Sequence, residues 1–121
     1  MDIVVTVPKH KWKEWLVEGH RAGDDHMEPV PDQEYFFKIG TRPPRNIAIG
    51  DRVYIVCNVK LRGYAPLVRI DEAWGAYFLV RCGGAVAVTI DEKITGFRGF
   101  RYRWWDLKDE RPLHNWFNLK E

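Results

Sequence analysis

Residues 51–59 read Asp-Arg-Val-Tyr-Ile-Val-Cys-Asn-Val, and the alternation in that run constrains the fold more than any other feature. Successive side chains of a strand point to opposite faces. Val53, Ile55, Cys57 and Val59 therefore share one face, and Tyr54, Val56 and Asn58 the other. Lys60 to Gly63 read as a turn, and residues 64–70 continue as a second strand, in which Pro66 marks an edge or a bulge. Similar short apolar runs recur. Residues 2–7 are β-branched, residues 34–39 read as a strand, and residues 76–82 and 85–90 flank Gly83-Gly84, a strong two-residue hairpin signal. A last strand is expected over 99–106.

Between these runs, proline and glycine set the punctuation. Pro43-Pro44, flanked by Gly40 and Gly50, make 40–50 a loop, and residues 22–33 form an acidic surface loop. One helix is predicted. Pro8 suits a first helical turn, and Trp12, Trp15, Leu16 and Gly19 follow at the spacing of one helical face. With six or seven short strands, one helix and no βαβ rhythm, the class is α+β or mostly β, curled so as to leave few open edges. The chain of 121 residues is expected to be a single domain, with a core over about 1–105 and a polar tail, 106–121, pinned back by Trp116 and Phe117.

Several chemistries are disfavoured by the residues available. His10, His20, His26, His114, Cys57 and Cys82 show no zinc-type spacing, so no metal and no cofactor are expected. There is no serine, which excludes a serine triad, and no glycine-rich phosphate loop. Cys57 reads as a small core residue. No apolar run is long enough for a membrane helix, and two cysteines make no disulfide framework, so a cytoplasmic location and no membrane partner are expected.

Charge is unevenly spread. Residues 38–69 hold seven basic residues against Asp51 alone, a net +6, whereas residues 1–37 carry −4. Residues 94–105 interleave Phe97, Phe100, Tyr102, Trp104 and Trp105 with Arg98, Arg101 and Arg103 and contain no acid. In an extended strand, Phe100, Tyr102 and Trp104 would share one face, and Arg101, Arg103 and Trp105 the other. Arginine suits phosphate and stacks on flat rings, and aromatic side chains stack on bases. The expected partner is therefore nucleic acid, RNA or DNA. Arg42, Arg45, Arg62, Arg101 and Arg103 are the candidate phosphate contacts, and Trp74, Trp104, Trp105 and Tyr64 the candidate base contacts.

The order of features over 50–70, a Gly-Asp opening a strand, a short turn and a second strand beginning Gly-Tyr-Ala, resembles the central hairpin of the PUA-like superfamily, particularly its EVE and ASCH branches. The resemblance implies a small β-barrel of about six strands with one N-terminal helix packed against it, an α+β fold. It also implies recognition of a modified base in an aromatic pocket, as in EVE and YTH domains. Some ASCH proteins are instead small hydrolases acting on RNA or a modified nucleoside, with a lysine, a threonine three residues on and a distant glutamate. Lys38 and Thr41 have that spacing, and Glu72 or Glu92 could be the acid. Pro43-Pro44 stands where the Gly, Lys, Glu and Arg run of ASCH proteins would continue. A third reading is an interaction domain with no ligand pocket.

Overall fold

The computed structural model describes residues 1–12, 34–82 and 85–113. Eight strands are formed: β1 (Ile3–Thr6), β2 (Tyr35–Gly40), β3 (Arg52–Cys57), β4 (Lys60–Ala73), β5 (Ala76–Arg81), β6 (Val88–Thr89), β7 (Arg101–Tyr102) and β8 (Arg111–Pro112). Six of them make one mixed sheet in the order β2-β5-β4-β3-β1-β7, and β6 and β8 pair separately. Only β1 and β3 run parallel, with Ile3 beside Val53 and Val5 beside Ile55. A parallel pair needs a crossover, and the chain from Val7 to Asp51, which includes β2, supplies it.

This arrangement corrects the expected α+β barrel. Of the described residues, 48% are strand and 8% helical, and no helix reaches seven residues. Lys9–Lys11 form a single 3-10 turn after Pro8, and Trp15, Leu16 and Gly19 of the expected helix lie outside the described residues, as do Gly83-Gly84 and Trp116-Phe117. The sheet is not a closed barrel, because β2 and β7 do not pair. It curls far enough to bring the two edges together, and a Cβ built on Gly99 would lie 3.6 Å from the Ile39 carbonyl oxygen.

The core has two sides. Ile3, Val5, Val53, Ile55, Cys57, Leu67 and Leu79 pack on one face of the sheet with Trp12 and Ile39. Val4, Tyr54, Val56 and Leu61 pack on the other, under Ile90, Ile94 and Trp105. The alternation over 51–57 is therefore real, and both of its faces are buried. That explains why β1 and β3 are almost uninterrupted β-branched and apolar runs. Little regular structure covers the second face. Residues 85–105 cross it with one bridge, Val86 to Tyr64, and two short strands.

The central hairpin turns earlier than its sequence suggests. Asn58 and Val59 both have positive φ, 53° and 56°, and form a tight two-residue turn, so β4 already begins at Lys60. β4 is 14 residues long and bends at two bulges. One places Arg62 as the extra residue opposite Ile55–Val56, and the other follows Pro66, at Leu67–Arg69. The first half of β4 pairs with β3 and the second with β5, so Pro66 sits where one ladder hands over to the next. The expected strand over 99–106 shrinks to Arg101–Tyr102, although Phe100 and Tyr102 still turn to one core and Trp105 to the other, as alternation expects. No helix among the described residues is long and apolar enough to cross a membrane.

Candidate functional site

A cleft of about 980 Å³ opens along the seam between the two sheet edges. Its walls come from four places: Thr6 to Lys9 after β1, Phe37 to Gly40 at the end of β2, Val56 to Val59 at the β3–β4 turn, and Gly96 to Gly99 before β7. The charged residues on these walls are Lys9, Lys38 and Arg98, and among the described residues no carboxylate lines the cleft. All three are exposed, and none makes an ion pair or side-chain hydrogen bond among the described residues. Phe37 and Phe97 supply aromatic surface. Three cations with no counter-charge among the described residues make an electropositive concavity there, which focuses field lines on an anion.

The loop 96–99 is held in place. The Thr6 hydroxyl donates to the Phe97 carbonyl at 2.7 Å, and the Arg101 guanidinium lies 4.4 Å from the centre of the Phe97 ring. The β3–β4 turn carries strain. Val59 is β-branched, 48% exposed and in a left-handed conformation that favours glycine or asparagine. Cys57 also lines the cleft, and burial pushes its thiol up, only partly opposed by Arg62 and Lys9. It is a protonated packing residue at neutral pH and a poor nucleophile. Among the described residues no three His, Cys, Asp or Glu side chains gather to hold a metal.

The other predicted residues divide by environment. Arg62 is buried and its Nε donates to the Cys57 carbonyl at 2.9 Å, so it supports the hairpin bulge and does not face a phosphate. Arg103 bonds Asp2 at 3.1 Å and also donates to the Trp105 carbonyl, which ties β7 to the start of β1. Trp105 is buried and Tyr64 half-buried. Tyr64 packs on Tyr54, and Tyr54 and Trp105 both reach a carboxylate that no local pattern singles out. Glu110, whose side chain is only 7% exposed, accepts from the Tyr54 hydroxyl at 2.5 Å, Trp105 Nε1 at 2.8 Å and Arg52 at 3.1 Å. Arg52 in turn stacks 4.1 Å from the Tyr64 ring centre. This network fastens the segment after β7 to the sheet. Burial, then the bond to Glu110, pushes the Tyr54 phenol well above its ordinary range.

Lys38, Thr41 and Glu72 do not assemble as a catalytic set. Lys38 pairs with Phe78, which pairs with Asp71, whereas Glu72 pairs with Tyr77 and so with Gly40. Directly paired residues share a face, so Lys38 and Glu72 lie on opposite faces of the sheet. Glu92 accepts from Trp104 Nε1 at 2.9 Å. Arg42, Arg45 and Thr41 are exposed on the loop after β2, Arg101 is exposed beside Phe97, and Trp74 stands at the β4–β5 turn.

Lys9 and Phe37 were missed because nothing local marks them; only the curl of the sheet brings them beside Arg98. No family model, curated protein or solved structure matches the chain.

Proposed function

We propose that the protein is a nucleic-acid-binding module whose cleft receives a base and the phosphates around it. The observation that carries this reading is the cleft lined by Lys9, Lys38 and Arg98 with Phe37 and Phe97 and, among the described residues, no carboxylate. Phosphate is the most abundant biological anion that arrives joined to a flat ring. A cationic wall beside aromatic surface meets both parts, the first by charge and the second by stacking. The resemblance of residues 50–70 to EVE and ASCH hairpins supports the same ligand class, and a modified base read in that cleft is the finer form of the proposal. Two cysteines outside any disulfide support a cytoplasmic place of work.

The hydrolase reading is weaker, because Lys38 and Glu72 occupy opposite faces and Cys57 is held protonated. The test is binding of fluorescent single-stranded and double-stranded oligonucleotides, plain and base-modified, at 50 and 200 mM salt (concentrations of the order used for such slopes). Three phosphate contacts on a single strand give a log–log slope near −2, or roughly a twentyfold loss of affinity over that range. Lys38→Ala and Arg98→Ala should each flatten the slope by about 0.7. Binding that ignores both salt and these substitutions overturns the reading.

A further inference from the structure

Trp74 is 95% exposed. It has φ 51° and forms, with Gly75 at φ 73°, the tight turn between β4 and β5. Such turns demand positive φ at both central positions, which glycine and asparagine adopt most cheaply. A bulky aromatic there is disfavoured by its backbone and gains nothing from packing. Its ring makes no aromatic or cation–π contact and its indole nitrogen no hydrogen bond among the described residues.

The position of this turn relative to the cleft follows from strand register. Gly40, on the cleft wall, pairs with Tyr77, and Ala76 pairs with Ala73 across the turn. Trp74 stands at the tip of the turn, about two residues beyond the Glu72–Tyr77 pair, so roughly 7 Å of strand rise separates the turn from the level of Gly40. The chain leaving Gly40 carries Arg42 and Arg45, both exposed and with guanidinium groups uncommitted among the described residues. That loop is rigid. Pro43-Pro44 restrict it and Pro44 is buried. The Arg45 and Asn46 amides donate to the Tyr102 hydroxyl at 3.1 and 3.4 Å, and the Ala48 amide to Asp51 at 2.7 Å. Of the acids near the turn, Asp71 is held by Arg69, and Glu72 is exposed on the face it shares with Tyr77.

Resting on the nucleic-acid reading of the cleft, we propose that the ligand is a single strand of at least two nucleotides. One base enters the cleft, a neighbouring base stacks on Trp74, and Arg42 and Arg45 hold the phosphates that join and flank them. Trp74 is then an exposed platform, and its backbone strain is sustained by the binding it provides. A duplex cannot offer this arrangement, because its bases remain stacked on each other.

The test compares a mononucleotide with a hexanucleotide single strand on the wild type, Trp74→Asn and Arg42→Ala/Arg45→Ala. Asparagine suits the turn, so Trp74→Asn should melt no lower than the wild type and should still lose about tenfold or more in hexanucleotide affinity. Its mononucleotide affinity should stay unchanged. The double arginine variant should flatten the hexanucleotide salt slope by about 1.4 and leave the mononucleotide slope alone. If the hexanucleotide binds in a Lys38-dependent way and Trp74→Asn does not weaken it, the extended site is overturned while the cleft reading stands, and Trp74 serves another partner. If neither ligand binds, the cleft reading itself fails.

Discussion

Gly63 is where a single methyl group should do the most damage. A Cβ at this position would lie 2.5 Å from the Val86 carbonyl oxygen and 3.3 Å from Ala87 Cα, backbone atoms that cannot rotate away. Relieving the overlap requires strand β4 and the 85–87 segment to part by roughly 1 Å, since comfortable contact lies near 3.5 Å. That separation breaks the two bonds of the bridge, Tyr64 amide to Val86 carbonyl at 3.0 Å and Val86 amide to Tyr64 carbonyl at 2.8 Å. Each is worth about 1 kcal/mol net, and forced overpacking adds about 1–3 kcal/mol. Gly63→Ala should therefore cost about 3–5 kcal/mol, a fall in Tm of about 12–20 °C for a domain of this size. Thermal unfolding by circular dichroism measures it, and hydrogen exchange should show the Tyr64 and Val86 amides losing protection first. Gly96→Ala is the control, since its added methyl meets nothing within 4 Å. A Gly63→Ala variant that melts within about 2 °C of the wild type would refute the close approach of these two backbones.

Tyr54→Phe should cost about 1.5–3 kcal/mol, because it strips one of three donors from the buried Glu110 carboxylate. The folded state raises the Tyr54 pKa, so the stabilisation from its neutral phenol is complete below about pH 10 and declines as pH rises from there toward the folded value. The gap between wild type and Tyr54→Phe in denaturant titrations should narrow above pH 10, and a constant gap would contradict the buried phenol. Val59→Gly relieves a left-handed β-branched residue and creates an Asn-Gly turn, so Tm should rise by a few degrees, for about 1 kcal/mol. A lower Tm would show that Val59 contributes packing that outweighs its strain. Toward a disulfide reagent at pH 8, Cys82, which is less buried, should react well before Cys57, and equal rates would place Cys57 nearer solvent than described.

The strands were legible wherever the sequence alternates between firm stops. β2, β3 and β5 fall within a residue or two of their expected spans, because Gly40, Asp51 and Gly75 bound them. The Asn58–Val59 turn was not legible, since a valine in a left-handed turn defies its own propensity, and the run 51–59 reads on as strand. The length of β4 was hidden by its bulges, which allow Arg62 and Pro66 inside one strand. In the stretch 94–105, the mixture of arginine and aromatics was visible, but the division of labour was not. Arg103 turned out to hold Asp2 and Trp105 to pack on Tyr54, while Phe97 and Arg98 line the cleft. Such assignments depend on contacts between residues about fifty to a hundred positions apart, which local pattern does not encode. Glu110 illustrates the same limit. A glutamate in a polar tail looks solvated until three donors from other parts of the chain are found around it.

Every neighbouring pair of strands in the main sheet is laced by backbone hydrogen bonds, and the two outermost strands do not pair, although Gly99, just before β7, comes close to Ile39 of β2. The domain is in this sense a split ring, and the cleft runs along the split. Springing the ring a little wider breaks no ladder, so the described sheet can adjust its grip on objects of different thickness while its hydrogen-bonded frame stays intact. Stapling the gap with a cystine across residues 39 and 99 would set one width permanently, turning an adjustable clamp into a fixed gauge.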